Sequence, residues 1–164
     1  MLLQFTARYR RIGLLLGVIF LTCCVFSACK NKDETPPPSS NMYTLSATLS
    51  GTAEVPPNAS TATGTLTGTY NATTYQINYT LSWSNLSGVP TAMHFHGPAA
   101  AGANASVALG IASFPSNATS SITGQGTLTA EQSADLLAGK WYANIHTAAY
   151  GGGEIRGQVT ATKN

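Results

Sequence analysis

The stretch Ala92-Met93-His94-Phe95-His96-Gly97-Pro98 alternates apolar and polar side chains. Such alternation is the signature of a β-strand with one buried face. Met93 and Phe95 would then point to one side of the strand, and the two histidines to the other. The chain has three histidines, and the third, His146, lies in a second alternating stretch. The pattern therefore predicts a β-sheet that carries a polar site on one of its faces.

Seven further stretches have strand character, because they are rich in Thr, Val, Ile, Tyr and Trp and are separated by Gly, Pro, Asn and Ser. The eight predicted strands are Tyr43–Leu49, Gly64–Tyr70, Thr74–Trp83, Thr91–His96, Val107–Ala112, Ser121–Leu128, Lys140–Thr147 and Gly153–Thr162. This arrangement predicts an all-β fold, an antiparallel Greek-key β-sandwich or barrel of about eight strands. The capping-box spacing of Thr129 and Gln132 predicts one short connecting helix over Ala130–Ala138.

The first 28 residues have the pattern of a lipoprotein signal peptide. Arginines at positions 8, 10 and 11 precede an apolar run over Ile12–Phe26, which is shorter than the roughly 20 residues of a membrane span. The following Phe26-Ser27-Ala28-Cys29 resembles a bacterial lipobox, which implies that Cys29 becomes the lipidated first residue. An ordinary cleaved signal peptide and an uncleaved anchor are the alternatives.

Residues 29–42 predict a lipidated tether between this segment and a folded domain over residues 43–162. A charged run, Lys30–Glu34, resembles the surface-export signal of some bacterial lipoproteins, and Pro36–Pro38 favours an extended chain. We therefore expect a lipid-anchored protein of the bacterial outer membrane, with periplasmic and cell-surface exposure both open. All three cysteines lie at or before Cys29, so the domain has no disulfide and any metal site in it has no thiolate ligand.

The composition of the chain argues against several classes of function. Only 9% of the residues are charged and the formal net charge is +2, which is not the footprint of a nucleic-acid-binding protein. The sequence contains no Gly-x-Ser-x-Gly elbow and no phosphate-binding loop, and the domain has no cysteine nucleophile. These observations favour a non-enzymatic binding or structural module. Apart from the membrane, its expected partner is an extracellular protein or a glycan.

Two later strands have the same alternation as the histidine strand. Trp141, Ala143 and Ile145 form an apolar face in one, and Ile155 and Val159 do so in the other. Only residues 148–152 separate these two strands, so we expect them to form a hairpin. Polar side chains oppose the core side on all three strands. They form the set His94, His96, Tyr142, Asn144, His146, Glu154 and Arg156.

Three interpretations of this polar set are open. In the first, His94, His96 and His146 bind copper or zinc, with water or Glu154 as a fourth ligand and with redox activity as an option for copper. In the second, no cofactor binds, Glu154 and Arg156 neutralise each other, and the cluster satisfies loops that fold over the sheet. In the third, the set is a solvated surface. An Arg156 side chain among the imidazoles would argue against a metal.

The sequence contains four separated motifs: Leu49-Ser50-Gly51-Thr52-Ala53-Glu54-Val55-Pro56-Pro57 with Ala62-Thr63-Gly64, His94-Phe95-His96-Gly97-Pro98, Asn144-Ile145-His146-Thr147, and Gly153-Glu154-Ile155-Arg156-Gly157-Gln158. Together they resemble a CHRD domain, a module first described in chordin. The resemblance implies an all-β domain of unsettled biochemical role. In chordin such domains belong to an extracellular binder of growth factors, a partner that does not carry over to a bacterial surface.

A second resemblance concerns the histidines alone. A His-x-His strand followed by a later strand that ends in histidine is similar to the copper-ligand layout of Cu/Zn superoxide dismutase, also a Greek-key β-sandwich. In that comparison His94, His96 and His146 take the copper positions. The sequence lacks a bridging histidine, a zinc loop rich in His and Asp, and a cysteine pair in the folded part. The resemblance therefore implies a shared fold. The three missing features put dismutase activity in doubt.

Overall fold

The structure is a computed structural model that describes residues 40–164. The predicted signal peptide, Cys29 and residues 30–39 of the predicted tether lie outside the described residues. No helix within residues 40–164 has the length and apolar character needed to cross a membrane. The strands are β1 (Met42–Ser50), β2 (Thr63–Asn71), β3 (Gln76–Ser84), β4 (Pro90–His96), β5 (Val107–Gly110), β6 (Ser120–Thr127), β7 (Tyr142–Thr147), β8 (Ile155–Gln158) and β9 (Thr160–Lys163).

These strands form one antiparallel sheet that is nearly closed into a barrel. The strand order is β5-β4-β7-β8-β1-β2-β3-β6, and β9 pairs with β1 beside β8. Near the gap between the two end strands, the Gln132 side-chain amide donates a 3.0 Å hydrogen bond to the carbonyl of Ala108 on β5. The prediction of an all-β sandwich or barrel with a single short helix is confirmed.

The last predicted strand, Gly153–Thr162, is divided in the structure. Its first part, β8, pairs with β7, and its second part, β9, pairs with β1. Between them the Val159 amide donates a 2.8 Å hydrogen bond to the carbonyl of Trp141. Because the chain changes its main pairing partner at this point, the sheet has nine strands where the sequence pattern predicted eight.

Helix α1 (Ala130–Leu137) begins at the predicted capping box. The Gln132 amide donates to the Thr129 hydroxyl at 3.1 Å, and the Thr129 amide donates to the Gln132 side chain at 2.9 Å. Both hydrogen bonds satisfy backbone groups that a helix start otherwise leaves without partners. Gly139 follows the helix with a φ of +70°, a conformation that favours glycine.

The interior of the barrel is filled by the apolar side chains that alternation assigned to it. Tyr79 packs edge-on against Phe95, with ring centroids 5.0 Å apart. Strand β7 is unusual because it is buried on both faces, and its outward residues Tyr142 and Asn144 are each 3% exposed. The outer face of β7 is therefore covered by other parts of the chain. The largest fully buried apolar residues are Leu45, Leu49, Leu66, Tyr70, Ile77, Leu81, Met93, Phe95, Leu136, Trp141 and Ile145.

One close approach between strands gives a test of this packing. A Cβ added at Gly68 on β2 would collide with the backbone carbonyl oxygen of Asn78 on β3. We expect Gly68→Ala to destabilise the fold by about 2 kcal/mol, measured by urea denaturation, because backbone cannot move aside as a flexible side chain can. Gly88→Ala is the control, since nothing lies within 4 Å of a Cβ there. Equal stability of the two variants would contradict the close approach.

Candidate functional site

The outer face of β4, β7 and β8 brings the predicted polar side chains together. Cross-strand pairing places Asn144 between His94 and Arg156, and places Tyr142 beside His96. Because alternation points all five side chains outward, register and parity together assemble them on one surface. His146 lies two residues beyond Asn144 on the same strand and joins this surface, which we call the histidine face.

The three imidazoles of the histidine face converge. One ring nitrogen from each of His94, His96 and His146 lies within 4.8 Å of the other two. His94 Nδ1 and His146 Nε2 are 3.3 Å apart. Two nitrogens bound to one tetrahedral zinc or copper ion at about 2.0–2.1 Å are separated by about 3.4 Å. The His94–His146 spacing therefore fits a metal site, and it also fits a hydrogen bond between the two ring nitrogens.

Backbone carbonyls fix the orientation of two of these rings. His96 Nδ1 lies 3.0 Å from the carbonyl of Ala105, and His146 Nδ1 lies 3.0 Å from the carbonyl of Gly151. A carbonyl only accepts, so each Nδ1 carries the proton and donates. In the neutral rings of His96 and His146, Nε2 then keeps a free electron pair that points into the space among the three histidines. Outer-shell hydrogen bonds of this kind orient metal-binding histidines.

Asn144 lies at the middle of the histidine face. Its Oδ1 atom is 3.1 Å from Nε2 of both His96 and His146. Two arrangements satisfy these contacts. In one, the Asn144 amide turns so that its NH2 group donates to both rings. In the other, a cation is bound by the ring nitrogens. The first corresponds to the structural cluster and the second to the metal site of the sequence prediction.

Burial lowers the pKa of His94, and the neighbouring His146 and His96 lower that pKa further. Burial is also the main cause of the lowered pKa of His146, where the hydrogen bond to Gly151 partly opposes the effect and His96 adds to it. Lowered pKa values keep both rings neutral near pH 7. Neutral imidazole is the form that binds a metal ion, so the electrostatics of the face suit metal coordination.

Arg156 does not lie among the imidazoles. Its guanidinium carbon is 3.4 Å from the centre of the Tyr142 ring, and the His96 ring stacks on Tyr142 with a 4.8 Å centroid distance and a 4° interplanar angle. Since β7 lies between β4 and β8, the Tyr142 ring separates the guanidinium from His96. The arginine also donates to the carbonyl of Ala103 at 2.7 Å and to Asn104 Oδ1 at 3.0 Å. It thereby holds the loop over residues 97–106 against the barrel.

Glu154 does not join the histidine face, which corrects its predicted place in the polar cluster. Its carboxylate accepts hydrogen bonds of 2.6–2.8 Å from the Ser60, Ser87 and Thr147 hydroxyls and from the Ser87 amide. Burial alone would raise the pKa of Glu154, but these hydrogen bonds outweigh it and lower the pKa. The expected Glu154–Arg156 pair is not formed. Among residues 40–164 the only ion pair joins Lys140 and Asp135, at 3.9 Å.

The bend before β8 explains this difference. Gly153 has a φ of +132°, and Glu154 precedes the first residue of the strand. Alternation applies to regular strand only, so it does not fix the direction of a side chain in the bend. Asn58 donates to the carbonyls of both Gly153 and Glu154 at 3.1 Å, and these bonds hold the bend in place.

Glu54 is a buried acid near the histidine face that alternation did not identify. It follows the 3₁₀ turn Gly51–Ala53, is 5% exposed, and packs against Gly153. Burial raises its pKa to about 7, although the Arg156 charge, the Val55 backbone and the Asn144 side chain favour the ionised form. Its Oε1 atom has no hydrogen-bond partner among the described residues. The signal in the sequence was an acid inside an otherwise apolar motif, in a domain with few acids.

The raised pKa of Glu54 predicts that Glu54→Gln increases the stability of the folded protein, and that this increase depends on pH. Between the ordinary pKa of 4.5 and the folded value of about 7, the folded state binds a proton that the unfolded state lacks. Stability from this group is therefore present at low pH and lost as pH rises through 7. We expect Glu54→Gln to be more stable than the wild type by about 1–3 kcal/mol at pH 8, with the difference shrinking toward pH 5.

Urea midpoints at pH 8 and pH 5 measure this effect. Glu131→Gln, which removes the carboxylate of an exposed acid on α1, is the control. A Glu54→Gln variant that is less stable than the wild type at pH 8 would instead make Glu54 a stabilising ionised partner of Arg156.

Comparison with known protein families matches residues 45–159 to the CHRD domain. This match covers more than half of the chain, so the protein belongs to the CHRD domain family, as its four motifs predicted. The matched region runs from within β1 to the residue between β8 and β9, and it contains Glu54 and the whole histidine face. Searches among curated proteins and among solved structures found no match.

Proposed function

We propose that this protein is a lipid-anchored binding module of the bacterial cell envelope, and that its CHRD domain binds one copper or zinc ion through His94, His96 and His146. The family supports a binding or structural module. The observation that carries the metal is the convergence of three ring nitrogens within 4.8 Å of one another. Two of the three rings have their opposite nitrogen held by a backbone carbonyl.

The three imidazole ligands favour copper or zinc over other metal ions. Neutral imidazoles suit copper and zinc, whereas calcium and magnesium require oxygen ligands. Glu154 is held by four hydrogen bonds away from the face, so it is not available as the fourth ligand that the sequence suggested. A water molecule or the Asn144 side-chain oxygen is the remaining candidate for that position. His94 and His146 are partly exposed, which leaves the site accessible from solvent.

Metal binding to the full chain in detergent tests this proposal. We expect one equivalent of Cu²⁺ or Zn²⁺ by isothermal titration calorimetry and elemental analysis. Loss of a residue that only hydrogen-bonds to a metal ligand weakens binding by up to about 100-fold. Because His146 is proposed as a direct ligand, His146→Ala should weaken binding by more than that. The variant with all three histidines changed to alanine should bind no metal.

Glu131→Gln removes a metal-binding type of side chain on helix α1, and it should leave the affinity unchanged. If neither ion binds, or if the triple variant binds as well as the wild type, the metal site is excluded. The histidine face is then the hydrogen-bonded cluster in which the Asn144 amide donates to the imidazoles.

The anchoring part of the proposal rests on the lipobox-like sequence that ends at Cys29. In bacteria grown with an alkyne-labelled fatty acid, we expect the wild type to incorporate the label and to fractionate with membranes. Cys29→Ser should lose the label, because the thiol is the acceptor of the lipid. Cys24→Ser, five residues earlier, is the matched control and should retain it. A labelled Cys29→Ser protein would contradict lipidation at this residue.

A further inference from the structure

A second surface of the barrel lies away from the histidine face, on the outer side of β9, β1, β2, β3 and β6. Its central row runs across five paired strands and consists of Thr160, Ser46, Thr67, Thr80 and Thr123. Four of these five side chains carry the same β-branched hydroxyl. The surface therefore presents hydroxyl groups in register from one strand to the next, and we call it the hydroxyl face.

The rows on either side have the same character. One runs from Thr162 to Gln125 across five strands, and the other runs from Thr48 to Ser121 across four. All members of the three rows are Thr, Ser, Asn or Gln, and none is charged, aromatic or aliphatic. Neighbouring side chains of such an array are about 6.7 Å apart along a strand and about 4.8 Å apart across strands.

Two shallow, open grooves of about 540 Å³ and 390 Å³ lie on the hydroxyl face. Thr67 lines both of them, so the grooves adjoin at the central row. The first extends toward Thr123 on β6, and the second extends toward Thr160 on β9. Together they form a shallow trough across the strands, which the hydroxyl and amide side chains of the rows line together with Ala47, Leu66 and Tyr79.

The chemistry of this trough excludes most classes of partner. Nucleic acids and anionic membranes are bound by Lys and Arg, which the three rows lack. The three rows also lack the aromatic and apolar anchors of protein interfaces. Leu66 and Tyr79, which line the grooves, are themselves buried in the barrel. A charged ligand would lose hydration without an opposite charge to replace it. A neutral ligand with many donors and acceptors matches the array, because each Thr and Ser hydroxyl can both donate and accept.

We propose that the hydroxyl face binds a neutral polysaccharide along the trough. A sugar chain carries hydroxyl groups at short, regular intervals and has no charge to desolvate, so it is complementary to the rows in both respects. The two adjoining grooves give a chain molecule a path across the strands. An ice crystal is the other regular array of hydroxyl-type groups, and it makes no use of grooves. This binding is independent of the metal proposed for the histidine face.

Affinity gel electrophoresis with the full chain in detergent tests the proposal. The probes are the neutral polysaccharides dextran, pullulan, laminarin and galactomannan, with alginate and chitosan as charged comparisons. We expect at least one neutral probe to retard the wild-type chain and neither charged probe to do so. Thr67→Glu places a charge where the two grooves meet, and it should reduce the retardation at least fivefold.

Thr91→Glu is the matched control, because it adds the same charge at an exposed threonine on β4. It should bind as the wild type does. Thermal unfolding and metal titration should be unchanged in Thr67→Glu, which shows that the fold and the histidine face are intact. The proposal is overturned if no neutral probe binds, if Thr67→Glu binds as tightly as the wild type, or if only a charged probe binds. Inhibition of ice recrystallisation that Thr67→Glu abolishes, without retardation by any polysaccharide, would assign the face to ice.

Discussion

The stack of Arg156, Tyr142 and His96 is the interaction on which the histidine face depends. A guanidinium over the face of a tyrosine ring is attracted by the ring's electrons, and the attraction is stronger where water is excluded. Here Arg156 is 2% exposed, and its donors hold the loop over residues 97–106. That loop supplies the Ala105 carbonyl that orients His96. One buried cation thus covers the outer face of β7 and also sets the direction of an imidazole.

The alternation of apolar and polar residues was enough to predict the all-β fold and the residues that share an outward face. It succeeded for His94, His96 and Asn144 because these residues lie within regular strands, where side-chain direction follows from parity alone. Alternation does not specify which strands are neighbours. The adjacency of β4, β7 and β8 was inferred from the hairpin and from the shared histidines, and long-range pairing of this kind is set by packing of the whole barrel.

The two glutamates show where alternation stops being informative. Glu154 lies in a bend that begins at Gly153, so its side chain turns toward Ser60, Ser87 and Thr147, and away from Arg156. Glu54 enters from a loop after the 3₁₀ turn, where no periodicity exists. Hydrogen bonding decides how the barrel tolerates each buried acid. Glu154 has donors on both carboxylate oxygens and a lowered pKa, whereas Glu54 has an oxygen without a partner and a raised pKa.

The two outer faces of the barrel illustrate opposite uses of polar side chains. On the histidine face, loops cover the sheet, so each polar group must find a partner inside the protein, and a few groups in fixed positions result. On the hydroxyl face no loop within residues 40–164 covers the central row around Thr67, and water can satisfy its exposed side chains, so hydrogen bonding does not require any particular residue there. Threonine suits a strand, but the strand alone does not demand the same hydroxyl chemistry at Ser46, Thr80 and Thr123 in one row. Cross-strand Thr and Ser pairs stabilise a sheet as well, and the rows that result are the surface that the proposed polysaccharide would contact.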